Sequence, residues 1–195
     1  MNASPPVQMI NELFVIWLPT LASAVAVFIV SSIIHMATKW HANDTKQLPN
    51  EDAVGNLLRD LPAGEYRFPY AATMAEMRTP EFEEKLKRGP TGIVGVRGMH
   101  SDRKGLQNAL IAWFLYTIVV SWLSGHLAHV ALPGPTDHHD IAHTVGLAAF
   151  LGYGMALAQN SIWSPTKWKT TAKMMVDALV YAVVTAEIFV WLWPH

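Results

Sequence analysis

The sequence predicts an all-α integral membrane protein: a four-helix bundle with one long polar segment between its first and second helices. Three observations carry this. Four apolar runs are each long enough to cross a bilayer, which takes about 20 helical residues. The composition is 51% hydrophobic and 15% charged. All 14 Lys and Arg residues lie outside those runs, in two blocks bounded by Lys39 and Lys104 and by Lys167 and Lys173.

The chain opens with a short segment, residues 1–12, that contains Glu12 and no basic residue. A cleavable signal peptide needs a basic stretch before its apolar core, so the run at residues 13–36 reads as a retained first span. Residues 37–105, about 69 in number, form the polar segment. The second span covers 106–132, and the turn PGPTDHHD at 133–140 follows, with two prolines and a glycine to break the helix. The third span covers 141–163, a loop 164–173, the fourth span 174–193, and residues 194–195 close the chain.

Within the polar segment, Asn50 precedes EDAVGNLLRD and predicts a short helix. Thr79-Pro80 before EFEEKLKR is a stronger start signal, with Thr79 as N-cap and proline at the first helical position. Glu81–Lys85, Glu83–Lys87 and Glu84–Arg88 sit at the i,i+4 spacing that supports a helix. GIVGVRGM can form a short strand. The segment is too polar for a core of its own and is expected to lie against the membrane surface or a partner.

Orientation follows from the positive-inside rule. The 37–105 segment carries 11 basic residues and the 164–173 loop three, whereas residues 1–12, the 133–140 turn and the C-terminus carry none. Both termini are therefore expected on the periplasmic side of a bacterial inner membrane. Trp40, Trp163 and Trp168 fit the cytoplasmic interface and Trp191 and Trp193 the periplasmic one, where amphipathic rings settle.

Small residues predict the packing, because lipid gives helices no hydrophobic reason to associate. Ala142, Gly146 and Ala149, with Ala148, Gly152 and Ala156, mark the third span as the most enclosed.

The residues able to carry chemistry are few. Cysteine is absent, which excludes disulfides and thiolate chemistry. GxSxG, Walker A, HExxH and GxGxxG patterns are also absent, so the reading leans to a non-enzymatic chain. A formal charge of −1 with no basic stripe argues against nucleic acid. His126, His129, His138, His139, His143 and His195 all map to the outer end of the bundle, with Asp137 and Asp140 in the turn and Glu187 on the fourth span. His126 and His129 share a helical face. Imidazoles are common ligands for zinc, copper and haem iron, so His126, His129, His139 and His143 with Glu187 form a candidate metal or haem site. Glu187 is expected to face the bundle interior and share a proton or ligand with a histidine.

Asp177 and Glu187 are carboxylates inside a span, where a charge is costly and marks a partner or a cavity. Asp177 follows Lys173 by four residues and is expected to pair with it. His35 and His41, six apart, would point about 240° apart on a helix, which argues against a joint role. Gln107, Asn108, Gln159 and Asn160 are candidates for interhelical hydrogen bonds.

The segments SSIIHM, KWH, LPNEDAV, RTPEFEEKLKRGP and IWSPTKWKTTAKMMVDALVYAVVTAEIFVWLWP resemble a group of small uncharacterised bacterial inner-membrane proteins. That resemblance implies a four-helix fold in the bacterial membrane and carries no functional residues. The expected function is that of an accessory or stabilising subunit of a larger membrane complex, photosynthetic or respiratory, with the bilayer and other membrane subunits as partners. The alternatives are a redox, metal or haem protein built on the outer histidines, and a small transporter, the latter disfavoured by the lack of an inverted repeat.

Overall fold

A computed structural model describes residues 15–97 and 103–194. The chain is mostly helical, and four of its helical stretches are long and apolar enough to cross a membrane: Trp17–Ala37, Lys104–Ala131, His138–Trp163 and Trp168–Trp191. The third and fourth begin earlier than the apolar runs at 141 and 174. Hydropathy marks only what suits hydrocarbon, whereas residues such as Lys169 and Lys173 continue a helix readily.

The first stretch is helix α1 (Trp17–Ser32) followed by a π-helical turn, Ile33–Ala37. Helix α2 (Glu51–Leu58), strand β1 (Gly64–Phe68), helix α3 (Pro80–Arg88) and strand β2 (Gly92–Val96) make up the polar segment. Helix α4 (Arg103–Ala131) is the second span. Helix α5 (His138–Tyr153), a 3₁₀ turn and helix α6 (Ala158–Trp163) make the third, and helix α7 (Trp168–Trp191) the fourth.

The ends of the bundle differ in charge. Lys39, Lys46, Lys104, Lys167, Lys169 and Lys173 surround one end, called here the basic end. The Pro133–Thr136 connection and the C-terminus of α7 lie at the other, the turn end.

Small residues set the closest packing. The Cβ of Ala186 lies 3.4 Å from the position a Cβ on Gly146 would take, and that of Ala178 lies 2.9 Å from the position for Gly154. Eight residues forward, from Gly146 on α5 to Gly154 just past its end, thus match eight residues back on α7, which fixes an antiparallel register. A Cβ on Gly152 would meet Val120 of α4 at 2.9 Å, and one on Gly125 would run into the Phe189 ring. Two apolar clusters fill the bundle. Val27, Val120, Ala149, Tyr153, Ala178, Tyr181 and Ala182 lie toward the basic end, and Ile16, Ala128, Ile141, Val145, Phe189 and Trp193 toward the turn end.

The most enclosed helix is α7 rather than the third span. It buries Thr171, Asp177, Ala178, Tyr181, Ala182, Thr185, Ala186 and Phe189, against Ile141, Val145, Ala149 and Tyr153 on α5. Helix α7 packs on both α1 and α5, and small residues on α5 let a neighbour approach one face without enclosing the others. Buried hydroxyls mostly return to their own helix, as Thr185 does to the Tyr181 carbonyl at 2.8 Å. Trp113 instead crosses to α1, donating to Ser31 Oγ at 2.8 Å. Gln107, Asn108, Gln159 and Asn160 are exposed, facing away from the neighbours they were expected to bridge.

In the polar segment Thr79 caps α3 by accepting from the Phe82 amide at 3.3 Å, and Pro80 opens the helix. Lys87 and Glu83 approach to 3.7 Å. Gly89 ends the helix at φ +57°, a conformation costly for any residue with a Cβ. GIVGV forms β2, and its antiparallel partner is GEYRF, with Tyr66 opposite Val94. From Thr38 to Arg97 no residue is buried.

Candidate functional site

The donors expected at the turn end do not converge. Ile141, Val145 and Ala149 take the inward face of α5, which turns His139 and His143 outward, both exposed, their rings 6.2 Å apart. His139 lies 3.6 Å from the exposed Asp140. His126 stacks on its neighbour Trp122 at 5.4 Å, and its Nδ1 is buried with no hydrogen-bond partner. His129 is half-buried. His195 lies outside the described residues.

Glu187 corrects a second expectation. It is exposed, and among the described residues it makes no ion pair or side-chain hydrogen bond. The cause is its place on the helix. Ala186 faces Gly146, and Thr185 and Phe189 are buried, so Glu187 continues the outward stripe of Val176, Val180, Val183 and Trp191. It therefore cannot share a proton inside the bundle. Among the described residues, the only group of three or more donors able to hold a metal ion is elsewhere: His35, His41 and Asp177, at the basic end.

That group exists because the helix stops being an α-helix. The Thr38 amide bonds back to the Ile33 carbonyl at 3.1 Å, the i→i+5 pattern of a π turn. Thr38 then turns extended, and Ala42 and Asp44 bond back to Lys39 and His41 at 3.2 and 3.0 Å. The chain folds back over the end of the bundle. His35 and His41 consequently lie ring to ring, 4.6 Å apart and 21° from parallel, instead of on opposed helical faces.

His41 is held at both nitrogens, Nδ1 to Asp44 Oδ2 and Nε2 to Asp177 Oδ2, each at 2.6 Å. Lys173 does not pair with Asp177. Its ammonium donates to Asp44 Oδ1 at 2.6 Å and to the Trp40 carbonyl at 2.7 Å, and sits 5.4 Å from the Trp40 ring centroid, within cation–π range. Two cationic candidates thus alternate with two carboxylates, tying the 38–44 fold-back to α7. The Lys173 ammonium, and then the His41 ring, hold the Asp44 carboxyl below the usual carboxylate range. On the other side, His35 Nε2 lies 3.3 Å from the Tyr181 hydroxyl.

A cavity of about 370 Å³ opens beside this cluster. His35, Asp177 and Tyr181 form its polar wall, while Trp113, Tyr153 and Leu110 are among its apolar lining. The aromatic rings touch edge to face, Tyr153 to Tyr181 at 5.7 Å and Trp113 to Tyr181 at 5.9 Å. An apolar pocket with a few converging polar groups is the usual form of a binding site.

The chain matches no known family model, characterised protein or solved structure. Its functional reading therefore rests on its own geometry. Asp177 was legible in the sequence as an intramembrane carboxylate. Its histidine partner was not, because the spacing argument carried α-helical geometry through residue 41. The polar run Thr38, Lys39, Asn43, Asp44 was the signal that the helix ends before it.

Proposed function

We propose that this chain is a non-catalytic subunit of a larger bacterial membrane assembly, lying in the inner membrane with its basic end in the cytoplasm and both termini in the periplasm. The observation that carries this reading is Glu187. A carboxylate facing hydrocarbon is costly and is met where another group satisfies it. Glu187 lies four residues before the end of α7, about 6 Å inward at a rise of ~1.5 Å per residue, among Val176, Val180 and Val183. Among the described residues none answers it. A helix of another subunit, presenting a cationic or hydrogen-bond-donating side chain at that depth, would.

A second feature points the same way. The described residues of the polar segment include no buried one, yet Leu57, Tyr70 and Met74 are exposed at 79, 71 and 66%, and a two-stranded hairpin is marginal without a covering surface. The positive-inside distribution supplies the orientation.

Gentle detergent extraction followed by native electrophoresis tests the reading. Wild type should migrate with at least one other membrane protein. Glu187→Leu should break that association, and Glu187→Gln should retain more of it, because an amide still hydrogen-bonds. Migration of the wild type alone, or only with further copies of itself, contradicts the accessory role. An unchanged complex in Glu187→Leu removes Glu187 from the contact.

A further inference from the structure

We infer that His35, His41 and Asp177 form a binding site for one divalent transition-metal ion at the basic end of the bundle. Their ligand atoms all lie within 4.8 Å of one another, a few tenths of an ångström wider than two ligands on one ion can stand at bond lengths of about 2.0–2.2 Å, so the side chains would close slightly around the ion. The supporting geometry is that of a metal-ligating histidine. Such a ring usually gives its second N–H to a carboxylate, which fixes the tautomer and the aim of the first nitrogen. Asp44 stands 2.6 Å from His41 Nδ1 and is itself fixed by Lys173. With the proton on Nδ1, the Nε2 lone pair is aimed at Asp177 Oδ2, 2.6 Å away. Where Nε2 instead carries a proton and donates it to Asp177, a metal ion would displace that proton to solvent, with the two atoms moving apart to admit it.

The donor chemistry selects the class of ion. Two imidazoles and one carboxylate suit borderline ions such as zinc and iron(II), whereas magnesium and calcium prefer oxygen alone. Thiolate ligands are unavailable because the chain has no cysteine. Three protein ligands leave a coordination position open, as in sites where metal meets a small molecule. Two of the three ligands, His35 and Asp177, also wall the cavity beside the cluster. The rival use of the same atoms is a closed set of ion pairs in which His41, charged, donates from both nitrogens. His35 separates the two: it belongs to the metal set and takes no part in the ion pairs.

The test uses the full chain, purified in detergent without a polyhistidine tag, stripped with chelator and titrated with zinc, and with cobalt(II) as a visible-absorbing probe. Wild type should bind one ion per chain, with cobalt bands of a nitrogen–oxygen site, and unfold at a higher temperature when loaded. His35→Ala should lose the bands and the zinc-dependent shift in unfolding temperature, each measured against that variant's own metal-free state. Asp44→Asn should keep the ligands and weaken affinity about 10–100-fold, as loss of an orienting carboxylate does. His139→Ala with His143→Ala should change nothing. Wild-type binding no stronger than that of His35→Ala, or binding lost only in the His139/His143 variant, overturns the assignment.

Discussion

Asp44 is gripped by a lysine of α7 and a histidine of its own turn, so its ionised form is favoured in the folded protein. Its carboxyl sits below the ordinary value of 3.8, mainly through Lys173 and next through His41. A depressed acid contributes stability above its unfolded value and loses it as pH falls through the folded value. The 38–44 fold-back should therefore be fully anchored at neutral pH and released only below the ordinary carboxylate range. Hydrogen exchange at the Ala42 and Asp44 amides reads this directly. Relative to wild type, Asp44→Asn should speed exchange at pH 7, and the two should converge under acid conditions; equal protection at pH 7 would remove Asp44 from the anchoring role. At this scale the sequence was partly legible. Asp177 and Glu187 stood out as carboxylates in apolar surroundings, but one finds its partner 136 residues away in sequence and the other faces outward. One helical step beyond Ala186 decides that, and composition does not encode it.

At the scale of elements, the bundle is organised by close backbone approach. Gly146 against Ala186 and Gly154 against Ala178 set the register of α5 on α7. Gly152 faces the Val120 side chain, whereas Val119 on the same helix is 51% exposed. Gly152→Leu should therefore lower thermal stability far more than Val119→Leu, because a branched chain at 152 must push α4 away. Overpacking of this kind costs about 1–3 kcal/mol. Equal unfolding temperatures for the two variants would contradict the packing. The four long apolar helices and their small-residue patches could be read from the sequence because hydropathy and residue size act locally. The more enclosed place of α7 could not, since it depends on which two helices flank it. The π turn escaped for a related reason: its sequence is apolar and helix-compatible up to Thr38. Strand β1 escaped because GEYRF is short and finds its pairing only when GIVGV comes alongside.

Over the whole molecule, the bundle is well filled while its surface carries unfinished business at both ends. Toward the turn end a carboxylate projects from a valine stripe. Beyond the basic end some sixty residues, 38–97, fold into helices and a hairpin with none of them buried. A self-sufficient domain would bury a core of its own, and this is a ground for the proposal that a partner covers the segment. The reading stands or falls on what lies against the outward face of α7. A photo-crosslinking amino acid placed at Val183 in living cells tests it most directly, with Leu123, an exposed position on α4, as control. The account predicts a discrete adduct with another membrane protein from position 183, absent or much weaker from 123 and lost in Glu187→Leu. Crosslinking to lipid alone from both positions would contradict it.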